Sequence, residues 1–248
     1  MQSRATTDTA CPRYRRVLLK MSGEALEGNA AFGIDHETVN YVASQVKGVR
    51  EMGVEVAVAI GGGNIWRGEQ AASLGGIDRA TADYMGMLAT VINALALKGA
   101  LDHLQVETRV QSAITMAQIA ESYIRETAME HLKKGRVVIF AAGTGNPFFS
   151  TDTAGALRAL EVGADVLLMA KNNVDGVYTA DPNRNPEARR YDRLSYIDAL
   201  AQGLAVMDST ALSLCMDNHL PIIVFDLLNP TNLERLIEGD DNVGTLIS

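Results

Sequence analysis

Cysteine is nearly missing from this sequence: Cys11 and Cys215 are the only two among 248 residues. They lie far apart in unlike contexts, which excludes a disulfide framework or a cysteine metal spacing and favours a reducing compartment. Aromatic residues reach only 5%, with a single tryptophan, so the core must be mainly aliphatic. Cations are the minority, 22 Lys and Arg against 30 Asp and Glu for a net charge of -8. That balance argues against a general nucleic-acid binder, which carries a basic stripe. It leaves room for a small anionic ligand gripped by a few local positive groups. The opening MQSRATTDTACPR has no apolar signal-peptide core, and no run approaches the roughly 18 apolar residues of a membrane span. A cytoplasmic protein is expected, with a flexible tail over 1–13 and a single domain over 14–248.

Other machinery is missing too. No G-x-x-x-x-G-K-[ST] phosphate loop is present, and GGGNIW and GTGNPF both fall short of the G-x-G-x-x-G dinucleotide pattern. There is no H-E-x-x-H and no G-x-S-x-G. His36, His103, His131 and His219 stand singly, as surface or core residues do.

What is there is an alternation. The apolar run VLLKM (17–21) leads into SGE, and Asp35 is placed to cap a helix through ETVNYVASQVKGVREM that stops at Gly53. VEVAVAI (54–60) runs into GGGN, a long helix follows over about 80–101, and VETRVQSAI supplies a third strand. A helix ending near KKG precedes RVVIF; then come a helix over 151–162, the strand ADVLLMA and the irregular KNNVDGVYTADPNRNP. Two helices near 195–201 and 208–217 precede the closing strands PIIVF and TLI. This order predicts a three-layer αβα sandwich around a mostly parallel sheet. Ligands bind such sheets beyond the carboxyl ends of the strands, where SGE, GGGN, GTGNPFFSTD and KNN all fall.

These connectors have the chemistry of an anion site. Glycine lets backbone N–H groups approach and cradle a phosphate, and Arg67, just past GGGN, can grip phosphate oxygens. Lys20 closes an apolar strand, where an ammonium needs a partner; the alternative is snorkelling at the sheet edge. Ser150, Thr151, Asp152 and Thr153 suit a helix start. Capping accounts for one of them, which frees Asp152 to orient an ammonium. Phe148 and Phe149 either wall the site or pack in the core.

The stretches LLKMSGEAL, AIGGGNIWRG, DYMGMLATVINALAL, AAGTGNPFFSTDTA, DGVYTADP and GTLIS together resemble the bacterial uridylate (UMP) kinases, over nearly everything from Arg15 to Ser248. GTGNPFFSTD is the most specific of these; GGGN is shared among related kinases. The resemblance implies the amino-acid-kinase fold and transfer of the ATP γ-phosphoryl group to UMP, with Mg2+ carried by the nucleotide and no protein metal ligands. It implies that Lys20, Met21, Ser22, Gly23, Gly63, Arg67, Asn172, Tyr178 and Asp181 meet ATP, and that Lys20 and Asp152 serve catalysis. Gly62 and Asp83 would meet UMP, as would the segment Thr144, Gly145, Asn146, Pro147, Phe148, Phe149, Ser150 and Thr151. It further implies a homohexamer activated by GTP and inhibited by UTP, with a regulatory region at Gly28, Asn29, Ala30, Ala31, Phe32 and Gly33. In KNNVDG one residue more stands than in some relatives, which leaves Asn172 and Asn173 as alternatives for one ATP contact and the role of Lys171 open. No nucleic acid and no membrane are expected as partners. Two rival readings stand beside this one: a kinase of the same fold acting on an amino acid or carbamate, and a nucleotide-binding protein without catalysis.

Overall fold

The computed structural model describes residues 12–30, 32–67, 76–172, 174–180, 182, 184–185, 187–204 and 207–248. Four apolar runs become the central strands: β1 (Arg16–Met21), β2 (Glu55–Ile60), β5 (Val137–Ala141) and β6 (Val166–Lys171). Around them lie β3 (Thr108–Ser112), β4 (Glu121–Ser122), β7 (Arg193–Leu194), β8 (Ile222–Asp226) and β9 (Thr245–Ile247). The sheet order is β4-β3-β5-β2-β1-β6-β8-β9-β7, and every neighbouring pair is parallel except β8 with β9. This is the expected α/β sandwich with a mostly parallel sheet.

Helices cover both faces. On one lie α1 (His36–Glu51), α2 (Arg79–His103) and α7 (Asn232–Glu238), sharing a core with Val17, Leu19 and Met21 of β1. On the other lie α3 (Arg125–Lys133), α4 (Thr151–Val162), α5 (Tyr196–Ala201) and α6 (Ser209–Asp217), packed over Leu18 and Leu167. Local chemistry sets the helix ends. Asp35 accepts the Thr38 N–H at 2.8 Å to start α1, and Gly53, at φ +85°, follows its end.

The connection from β5 through α4 to β6 passes over β2 and β1. The carboxyl ends of β5, β2, β1 and β6 therefore stand side by side, and the glycine-rich connectors emerge together there.

Three elements were not evident in the sequence. β4 and β7 are two residues each and exist through pairing with neighbours rather than through their own pattern. The seven-residue α7 follows Thr231, whose φ of 70° turns the chain into it. The expectation that nothing is long and apolar enough for a membrane also needs correction. α2 reaches that length and composition, with a mean hydropathy of 1.4 over its most apolar 18 residues. Interruption by Asp83, Thr90, Asn93 and Lys98 hides this from a count of consecutive apolar residues. Half of that window is buried within the fold, as for a core helix.

Residues 1–11 of the expected tail lie outside the described residues, while Arg13 donates its N–H to the Ile237 carbonyl at 2.8 Å.

Candidate active site

The first two connectors meet backbone to backbone. A Cβ on Gly23 would stand 2.6 Å from the Gly63 nitrogen and 2.4 Å from Asn64 Oδ1, so only glycine admits this approach. Gly62 presses on α2 in the same way: its Cβ would lie 2.7 Å from the Gly86 carbonyl oxygen. Ser22 opens the short 3-10 turn at Gly23–Leu26 without using its hydroxyl as a cap. Met21 is fully buried and its carbonyl accepts the Gly61 N–H at 3.0 Å, so it supports the turn from beneath rather than facing the cavities. Arg67 reaches across both turns, with Nη2 2.5 Å from Glu24 Oε1 and Nε donating to the Gly63 carbonyl at 3.2 Å.

Alternation along β1 directs Lys20 toward α4, and it is buried to 6% exposure rather than snorkelling. Its ammonium lies 2.6 Å from Asp152 Oδ1. The stem of Lys20 runs against Gly155, where a Cβ would come within 3.1 Å of Lys20 Cγ. Capping of α4 is the work of Ser150, whose Oγ accepts the Thr153 N–H at 3.0 Å. Asp152 is thus free of that duty and holds the lysine. Register places Lys20 beside Met169, so Lys171, two residues further on β6, lies on the same face. Burial first, and the nearby Lys20 charge second, hold the Lys171 ammonium below the usual lysine range; Asp152 and Glu24 partly oppose them.

The long connector after β5 crosses the sheet end in left-handed backbone at Ala142, Gly143, Gly145 and Phe148, with φ of 60°, 57°, 81° and 70°. The Phe148 N–H donates to Asp83 Oδ2 at 2.8 Å, and Arg79 Nε lies 2.9 Å from the other Asp83 oxygen. Phe148 and Phe149 are 70% and 52% exposed, which removes core packing as their explanation.

A cavity of about 430 Å³ opens between this connector and α2. Gly62, Gly63, Asp83, Thr144, Phe148, Phe149, Ser150 and Thr151 all border it. Gly145, Asn146 and Pro147 do not, and Asn146 faces an adjoining groove instead. A second cavity, about 490 Å³, lies past β6 and is bordered by Lys171, Val177, Tyr178 and Leu204. Asn172 adjoins Lys171, and its Oδ1 is buried without a hydrogen-bond partner. Asp181 and Asn173 lie outside the described residues.

Sequence reasoning missed Arg79, Thr90 and Asp208 on the first cavity. Asp208 caps α6 through the Ala211 N–H at 3.0 Å, and also accepts bonds from the Ser150 and Thr153 hydroxyls. Only the i, i+4 spacing of Arg79 and Asp83 was a visible signal.

Gly28, Asn29 and Ala30 border a separate cavity, Phe32 is exposed, and Gly33 bonds Asn64; Ala31 lies outside the described residues.

A sequence model of the amino acid kinase family matches residues 15–226. The chain belongs to the amino acid kinase family. Three solved structures of similar proteins extend the match. A UMP kinase from Bacillus anthracis is 42% identical with a TM-score of 0.91, covering 95% of this chain and 96% of that one. A UMP kinase from Ureaplasma parvum is 41% identical with a TM-score of 0.89, covering 95% and 99%. A uridylate kinase from Archaeoglobus fulgidus is 29% identical with a TM-score of 0.72, covering 94% and 99%. Among the described residues of this family member, no group of three or more His, Cys, Asp or Glu side chains converges as a metal cage.

Proposed function

We propose that this protein is a UMP kinase, transferring the γ-phosphoryl group of ATP to UMP to give UDP and ADP. The observation that carries the reading is the buried Lys20–Asp152 pair with Lys171 nearby: Lys171 borders the second cavity, and Thr151, next to Asp152, borders the first. Similarity to the two bacterial UMP kinases over most of both chains supports the choice of acceptor.

UMP occupies the first cavity, enclosed by Thr144 to Thr151, with Asp83 and the Gly62 turn as contacts. ATP lies over the Ser22–Gly23 and Gly63 turns with its base toward Tyr178. The unpartnered Asn172 Oδ1 supports a donor-side contact there. The whole of 14–248 acts as one domain, its N-terminal part mainly serving the acceptor and its C-terminal part ATP.

The attacking group is a phosphate oxygen of UMP. With a second pKa of about 6, that phosphate is mostly dianionic near neutral pH, so no general base is needed. Its oxygen forms a bond to the γ-phosphorus as the bond to the ADP oxygen breaks. The obstacle is bringing two polyanions into line, which calls for positioning and charge neutralisation. Lys20 supplies a fixed cation at the moving phosphoryl group, and the glycine-turn amides add preorganised donors. Asp152 orients Lys20 rather than taking a proton, and Lys171 adds a second positive charge. Mg2+ carried on the nucleotide phosphates would supply further charge neutralisation.

The protein works as a homohexamer. In support, Tyr84, Leu88, Ile92 and Leu95 form an exposed apolar stripe on α2. GTP activates and UTP inhibits, with the 28–33 segment as the regulatory region; its bond to Asn64 links it to the phosphate turn. A cytoplasmic location without nucleic-acid or membrane partners fits the net charge of -8. Sedimentation of a stable monomer would remove the assembly.

ADP release from ATP–Mg2+ with UMP, CMP, dUMP, glutamate or carbamate offered separately tests the acceptor. Turnover with UMP supports the proposal. Turnover only with glutamate or carbamate replaces it with another kinase of the family, and silence with all five replaces catalysis with binding.

A further inference from the structure

Two polar residues inside α2 have no place in the chemistry above. Thr90 is 5% exposed and Asn93 is fully buried, one turn apart on the face turned toward the sheet. Threonine and asparagine are mediocre helix formers, and their burial is unfavourable unless every polar atom is bonded. Both are bonded, and in each case to a turn that borders the first cavity. Asn93 Nδ2 donates to the Gly61 carbonyl and to Asn64 Oδ1, both at 2.7 Å. Thr90 Oγ1 donates to the Met87 carbonyl and accepts the Ala142 N–H, each at 2.7 Å.

The second link is the more informative. Ala142 is a non-glycine residue at φ 60°, where a Cβ is crowded. It is fully buried, so its N–H has no water to fall back on. Thr90 supplies the acceptor that lets this backbone persist, at the entrance of the connector that carries Thr144 and Phe148. Strained backbone of this kind holds only where its surroundings fix it. The Thr90 side chain also borders the cavity, so it stands between helix, connector and acceptor site.

We infer that Thr90 is a positioning residue for the acceptor nucleotide: through the Ala142 N–H it fixes the course of the connector that encloses UMP. This rests on the UMP kinase reading, and the test separates the two. In the full-length chain, Thr90→Val keeps the branched shape but removes the acceptor oxygen, and Thr90→Ser restores it. Amide hydrogen exchange over 141–149 without ligand reads the connector, and steady-state kinetics read its consequence. Thr90→Val should accelerate exchange in that segment about tenfold or more and raise the KM for UMP by a similar factor. The KM for ATP should stay within twofold, and Thr90→Ser should return both readouts toward wild type. Thr90→Ala gives the same reading where the valine variant fails to fold. Exchange within twofold of wild type overturns the inference. So does fast exchange with unchanged KM for UMP, or an equal rise in both KM values, which marks general loosening. A wild-type protein that ignores UMP defeats the kinase reading, while exchange still decides whether Thr90 fixes the connector.

Discussion

Lys20 and Asp152 come from opposite halves of the chain and meet at 2.6 Å, the lysine from the end of β1 and the aspartate from the first turn of α4. The pair is largely shielded from water, at 7% and 18% side-chain exposure, so its charges interact more strongly than surface charges do. An ammonium held at one point before the nucleotides arrive needs no reorganisation when charge moves in the reaction.

Loss of the lysine should therefore be felt in turnover. Lys20→Ala is expected to lower kcat by about 10²–10³, the scale of removing one preorganised donor. Asp152→Asn should lower kcat while ATP binding stays nearly intact. Steady-state kinetics with ATP titration check both. Activity of the alanine variant within twofold of wild type would remove Lys20 from the chemistry, and a pure binding defect in the asparagine variant would return Asp152 to a helix-start role.

Gly155 should matter for the same reason at one remove. In Gly155→Ala the new methyl would sit 3.1 Å from Lys20 Cγ and 3.3 Å from Lys20 Cβ, close to the strand backbone where the stem has little room to yield. The helix itself gains, since alanine is favoured over glycine by about 1 kcal/mol. The expected outcome is kcat down by roughly tenfold without a fall in thermal stability. A fall in Tm with unchanged kcat would show that the glycine serves packing alone.

Much of this is legible in the sequence. Four aliphatic runs each ending in glycine or polar residues locate the strand ends, and parallel order brings those ends together. The lysine at the end of VLLKM and the aspartate in STDT were legible because each is out of place in a strand or in excess for a cap. Thr90, Asn93 and Arg79 were not, because a polar residue on a mostly apolar helix looks the same whether it faces solvent or a turn 50 residues away. Asp208 was visible as a helix start, but its bonds to Ser150 and Thr153 depend on α4 and α6 packing together.

Lys171 gives a pH test. Its ammonium titrates below the usual 10.5 because it is buried and faces Lys20. Between the folded and unfolded values the unfolded chain binds more protons, so this group's contribution to stability rises with pH across that window. For activity the expected sign is opposite: on the proposed reading Lys171 offers its charge to the ATP phosphates, and that charge disappears on the alkaline side. The profile of kcat/KM for ATP should fall at a pH below that of an ordinary lysine. Lys171→Arg should abolish that limb, since a guanidinium stays charged. An unchanged limb in the arginine variant would clear Lys171 of any role on the donor side.

Gly62 tests the packing of the phosphate turn on α2. In Gly62→Ala the Cβ would meet the Gly86 carbonyl oxygen at 2.7 Å and Ala89 Cβ at 2.8 Å, and neither belongs to a flexible side chain. The turn must move outward into the cavity. The KM for UMP is expected to rise by on the order of 10², with circular dichroism unchanged. An alanine variant with wild-type KM would mean that the turn does not touch the acceptor.

On the proposed reading the phosphoryl group passes from ATP to the phosphate of UMP at the Lys20–Asp152 pair. The most direct measurement follows γ-labelled ATP in a single turnover with UMP and Mg2+, separating UDP, ADP and inorganic phosphate. Label is expected in the β-phosphate of UDP, in step with ADP, and is expected to be lost in the Lys20→Ala variant. Label appearing as inorganic phosphate, or remaining in ATP with folded, ATP-bound protein, would contradict it.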